Sequence, residues 1–291
     1  MTIVEASGAH PAPAVPPAPT ASGRLGPADA AILETFVVPR YLSLFGELLL
    51  EMLTESEDAQ VVHLSCRTGY PDRGIALKLP GAHIVGIDAS AAATELARAK
   101  AATMPDMVSD YRLMTDLPTD LPGSAFSHAL TLYPVGDAEY RRRLLGELAR
   151  LLAPAGQGLI ALPMRGSFQE LGDLLREYAL KFDDHAVVLA VDRAVASRPT
   201  VESLGGELES AGFDFVDVDL RPTTFAFRSG RDFFEDPIAR LLVLPDLRAG
   251  LGLEEPERAL AYVREAIDRY WSDGAFELTL NVGCATGRRA G

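Results

Sequence analysis

Two stretches of the sequence hold chemistry-bearing groups at a spacing that has a use. The strand-like run Val61-Val62-His63-Leu64 ends in a turn of mostly small residues, Ser65-Cys66-Arg67-Thr68-Gly69. A second run, His83-Ile84-Val85-Gly86-Ile87, closes at Asp88 and is followed by Ala89. An acidic side chain about 20 residues beyond a tight strand-to-helix turn is placed to reach a ribose diol. A lone acid after a strand carries little weight, but this pairing makes Asp88 the candidate ribose group. Ser65, Cys66, Arg67, Gly69 and Ala89 then surround the same ligand. Cys66 and Cys284 are the only cysteines and neither lies in a metal-ligand spacing, so no metal site is expected.

Candidate general bases are His128 and, less favoured, His185. Neither has an identifiable partner in a site, so a structural or surface role is favoured for both and the catalytic residues stay unassigned. Tyr133 and Pro134 end a third strand-like run, Ala129-Leu130-Thr131-Leu132. Tyr133 lines a ligand pocket or packs in the core, with nothing in the sequence to choose between them. Arg141-Arg142-Arg143 reads as the solvated face of an amphipathic helix. Asp183-Asp184 reads as a loop. Gly283-Cys284-Ala285-Thr286-Gly287 looks like a second ligand turn, but no helix follows it.

These groups need a scaffold of alternating elements. Tyr41, Leu44, Phe45, Leu48, Leu49 and Met52 recur at helical spacing before the first strand. Helices are expected near 73–79 and 91–104, strands near 111–114 and 129–133, then a Leu-rich helix stopped by Pro154 and Gly156. Residues 158–164 read as a strand, with Ser167 and Glu170 as a capping box for the next helix. Thr200 opens another helix; 213–220 and 276–282 read as the last strands. Alternation at this spacing implies an α/β fold of three layers, a Rossmann-like, mostly parallel seven-stranded sheet with helices on both faces. Residues 221–274 are expected to be an insertion or cap before the last strand. They hold several phenylalanines and Trp271, read as packing.

Residues 1–27 carry six prolines among small residues, a composition expected to stay disordered and to leave 28–291 as the folded domain. The 27 basic and 41 acidic residues give a net charge of −14, which argues against a nucleic-acid partner. The sequence has no apolar run long enough for a membrane span and no secretion pattern, so a cytoplasmic location is expected.

Several of these stretches resemble class I S-adenosylmethionine-dependent methyltransferases. Residues 62–69 resemble the family's first motif, commonly Leu-Asp-Val-Gly-Cys-Gly-Thr-Gly. Ile84-Val85-Gly86-Ile87-Asp88-Ala89-Ser90 is similar to its second-strand motif, whose acid holds the ribose hydroxyls. Residues 148–158 and Ser210-Ala211-Gly212-Phe213 look like the entries to its fifth and sixth strands. The small-molecule enzymes of quinone and biotin pathways look closest. The resemblance implies S-adenosylmethionine as cofactor, with Tyr133 near the methyl site. It also exposes departures: the family's acid is His63, two of its glycines are Ser65 and Arg67, and its usual Phe-Asp pair has become Phe126-Ser127. A cation at 67 repels a sulfonium and suits a carboxylate. Two functions follow. One is methyl transfer to a small-molecule acceptor, favoured by Asp88 and Gly69. The other is a catalytically inactive fold that binds a protein partner as an interaction or scaffold protein, favoured by the altered turn. A Rossmann-type oxidoreductase is disfavoured, because the turn lacks the glycines a pyrophosphate needs.

Overall fold

The computed structural model describes residues 25–114 and 116–291. Most of the segment 1–27 therefore lies outside the described residues. At its end, the Leu25 carbonyl accepts from Ser90 Oγ at 2.9 Å, and Pro27 occupies the first turn of α1 (Pro27–Ile32). Proline suits that position, where its missing N–H would have no helical partner. A π-helical stretch, Leu33–Leu42, continues into α2 (Ser43–Met52).

The sheet is laid down next. β1 (Gln60–Leu64) leads through the turn to α3 (Asp72–Lys78), then β2 (His83–Asp88) to α4 (Ala91–Ala101) and β3 (Val108–Leu113). β4 (Phe126–Leu132), α5 (Ala138–Leu151) and β5 (Leu152–Pro163) complete the parallel part. Three helices follow, α6 (Gln169–Phe182), α7 (His185–Ser197) and α8 (Val201–Ser210), before β6 (Phe213–Phe227). α9 (Gly230–Glu235), a π-helical turn, α10 (Leu244–Leu251) and α11 (Glu257–Tyr270) precede β7 (Phe276–Arg289).

Strand order is β3-β2-β1-β4-β5-β7-β6. β1 to β5 run parallel, and β7 lies antiparallel to both β5 and β6. The expected three-layer fold is thus present. Alternation along each strand divides the core: Val61 and Ile84 join α2, α6, α7, α10 and α11 on one face, while Val62 and Val85 join α5 and α8 on the other. The order reverses between β1 and β4, where such sheets present a crevice at the strands' carboxyl ends.

Local details differ from the sequence reading for identifiable reasons. Asp184 accepts from Val187 N–H and caps α7, so Val187-Val188 are helical and the Asp183-Asp184 loop is a helix start. Ser167 and Glu170 do not form a capping box. Ser167 Oγ accepts from Asn281 N–H and Glu170 bonds Thr279, so the backbone of β7 recruits both. β6 runs on to Phe227, so Arg221 and Phe225 are strand residues and the helical segment begins at Gly230. Gly283 and Gly287 lie inside β7. A Cβ at Gly283 would come within 2.2 Å of Met164, so glycine is there for close packing, not as a turn.

Candidate functional site

The turn after β1 is wound by alternate left-handed residues: φ is +56° at Ser65, +48° at Arg67 and +75° at Gly69. Only glycine adopts this region without cost, so the first two positions carry about 1–2 kcal/mol each of local strain. Cys66 N–H donates to the Ile87 carbonyl, and Gly69 N–H returns to Cys66, tying the turn to β2. At Gly69 a side chain would meet the Tyr111 hydroxyl at 2.8 Å.

Asp88 sits buried beside this turn. Its Oδ2 accepts the Arg67 backbone N–H at 3.0 Å, and its Oδ1 accepts Ser90 N–H at 2.8 Å. Ala89 is half-buried between that carboxylate and Ser90, which caps α4. The Arg67 side chain leaves the turn in the other direction. Its Nη1 donates to the Leu132 carbonyl at 2.8 Å and its Nη2 to the Tyr133 carbonyl at 2.6 Å. The guanidinium therefore spans the crevice between β1 and β4, and Arg67 as a whole is only 9% exposed. Burial pulls its pKa down, with the Asp88 charge opposing that shift. Desolvation, helped by Asp88, pushes the buried Cys66 thiol well above its usual range, which leaves it protonated and a poor nucleophile.

Tyr133 is wholly buried. It takes a left-handed φ of +50°, and its hydroxyl accepts from Tyr41 at 3.3 Å. Desolvation raises both phenols; Tyr133 adds to the rise at Tyr41, whereas at Tyr133 Asp246 adds to it and the hydrogen bond from Tyr41 opposes it. Of the two alternatives for Tyr133, core packing against Tyr41 and Phe45 is what the structure has. Beyond it, Arg198 pairs with Asp246 at 2.8 Å next to a crevice lined by Pro134, Gly136 and Pro163. That crevice has a cavity volume of about 30 Å³, room for about one water.

Beneath the turn, His63 occupies the family's acidic position and is fully buried. Its Nδ1 lies 2.7 Å from Asp72 Oδ1, while Tyr111 donates its hydroxyl to Asp72 Oδ2 at 2.8 Å. His63 Nε2 is buried with no partner. Desolvation, reinforced by Asp72, raises the Tyr111 phenol far above its usual value.

Ser65, Cys66, Arg67, Gly69, Asp88, Ala89 and Tyr133 thus converge where β1, β2 and β4 end. The two candidate bases do not join them. His128 lies toward the opposite end of β4, bonded to Ser127 Oγ at 2.9 Å and the Thr54 carbonyl at 3.2 Å. His185 is an exposed residue at the start of α7, 3.6 Å from Asp183. The sequence reading missed Asp72, Tyr111 and Tyr41, and it missed the carbonyls that hold Arg67. Among the described residues no cluster of His, Cys, Asp and Glu is placed to hold a metal ion, and no helix is long and apolar enough to cross a membrane.

The fit of S-adenosylmethionine to this crevice can be tested on these groups. Arg67 fills the passage that two glycines would leave open, and His63, where the motif has an acid, is bound to Asp72. In this conformation the residues do not fit the cofactor.

Residues 62–160 match the family model of a methyltransferase domain. No curated protein matches the chain. Among solved structures, the YcgJ protein of Bacillus subtilis is similar at 11% identity and a TM-score of 0.52, covering 86% of this chain and 99% of its own. A candidate methyltransferase from Bacillus halodurans C-125 reaches 15% identity and a TM-score of 0.55, covering 84% and 99%. These likenesses are of fold, and the domain match adds the stretch from the β1 turn through Asp88 to β5. Residues 62–160 thus match a methyltransferase domain on a sheet with the fold of these structures, and the turn after β1 holds Ser65 and Arg67 where the motif it resembles has glycines.

Proposed function

We propose that this chain is a methyltransferase fold whose cofactor crevice is closed by its own Arg67, and that it works by binding a partner, not by transferring methyl groups. The observation that carries the reading is the pair of hydrogen bonds from the Arg67 guanidinium to the Leu132 and Tyr133 carbonyls. A hydrogen bond to a charged group is worth about 1.5–3 kcal/mol. Releasing both costs about 3–6 kcal/mol, which weakens any ligand that needs the passage by roughly two to four decades. A cytoplasmic setting suits the two free, buried cysteines.

Methyl transfer from S-adenosylmethionine to a small molecule is the second reading, and Asp88 favours it. Each of its oxygens has one partner and retains acceptor capacity, at the offset the family uses for ribose. Calorimetric titration with S-adenosylmethionine and S-adenosylhomocysteine separates the two. Absence of heat at millimolar ligand with folded protein supports the closed crevice. Saturable micromolar binding overturns it in favour of the enzyme.

A further inference from the structure

We propose that the groove between α3 and α4 binds a small apolar carboxylate. This groove is separate from the Arg67 crevice: of the turn only Gly69 reaches it, and neither Asp88 nor Tyr133 lines it. It encloses about 300 Å³, the lower end of the range for small-molecule pockets. The void exists because the facing walls are small. Ala97 and Ala101, one turn apart on α4, line it together with Gly74 of α3 and Tyr111.

The lining specifies the ligand. Met104 and Met107 supply flexible, polarizable walls that adapt to an aromatic or branched body. Arg73 is exposed at the groove and, among the described residues, makes no ion pair or hydrogen bond. A guanidinium free on both edges matches a carboxylate bidentately. Lys100 is not available for that role, since it pairs with Glu34 Oε1 at 2.6 Å and donates to the Thr68 carbonyl at 2.8 Å. Glu34 lines the same groove, its charge taken up by Lys100.

The test uses the full chain with methyl-labelled methionines and L-3-phenyllactate as probe, which combines a ring with a carboxylate. Saturable shifts of the Met104 and Met107 methyls are expected below about 10 mM. Arg73→Ala should weaken phenyllactate about tenfold and leave phenethyl alcohol, which has no carboxylate, unchanged. 3-Phenylpropionate, which keeps the ring and the carboxylate, should bind comparably and be weakened by Arg73→Ala in the same way. Ala101→Phe should abolish binding by filling the groove; Met104→Trp, read at Met107, does the same if the first variant does not fold. No shift at either methyl, shifts that survive the filled groove, or indifference of the carboxylates to Arg73→Ala would each overturn the proposal. None of these outcomes depends on whether Arg67 releases its crevice.

Discussion

Arg67 and Asp88 are joined by the backbone of one and the side chain of the other, 3.0 Å from amide to carboxylate, while the guanidinium points away to the end of β4. The arrangement uses the residue twice. Its amide satisfies the buried acid that the family uses for ribose, and its side chain ties β1 to β4 across the passage to that acid. A glycine at 67 would keep the first contact and lose the second.

Arg67→Gly combined with Ser65→Gly is therefore expected to open the crevice. Both positions have positive φ, so glycine relieves about 1–2 kcal/mol of strain at each and partly offsets the lost hydrogen bonds. Affinity for S-adenosylmethionine, measured by calorimetry, should rise at least about tenfold. A fall in affinity on Arg67→Gly alone would show that Arg67 grips the ligand's carboxylate, as the enzyme reading requires.

Short apolar runs ending in turns made the parallel sheet and the Ser65–Asp88 geometry legible, because strand periodicity and an acid at a fixed offset leave marks in the sequence. The destination of Arg67 left none. Its acceptors are backbone carbonyls, which any residue type supplies. Asp72 escaped notice because it pairs with His63 only once α3 folds back over β1. α7 was hidden by its β-branched Val187-Val188, whose preference is overridden by the Asp184 cap and by burial of Val187, Ala190 and Val191.

The buried Tyr111–Asp72–His63 chain should behave as one unit. Tyr111→Phe removes one donor and is expected to cost about 1–3 kcal/mol. Asp72→Ala leaves both neighbours unpaired and should cost about 3 kcal/mol or more. Because the two share a network, the double variant should lose less than the sum in urea denaturation. Additive losses would mean that the two contacts are independent.

Arg141 corrects the simple view of its triple-arginine run. It is buried and meets Glu207 through two hydrogen bonds of 2.7 and 2.8 Å, linking α5 to α8, whereas Arg142 and Arg143 are exposed. Arg141→Ala should lower stability by about 1–3 kcal/mol, since Glu207 is left half-buried without its partner. Arg142→Ala should stay within about 0.5 kcal/mol. Equal effects of the two in thermal melts would place Arg141 on the solvated face after all.

His128 should contribute a pH dependence that has nothing to do with catalysis. Burial lowers its pKa, outweighing the Thr54 carbonyl that favours the charged ring. The sign follows from proton counting. Below about pH 6.5 the unfolded chain takes up a proton that the folded ring resists, so the unfolded state binds more protons. Stability contributed by the neutral ring is therefore present above that pH and is lost as pH falls through the lower, folded value. Urea midpoints at about pH 7.5 and about pH 5.5 should differ more for the native chain than for His128→Gln, which keeps a polar side chain at this position and cannot titrate. If the substitution leaves that difference unchanged, the acid loss belongs to carboxylates, and His128 has no part in it.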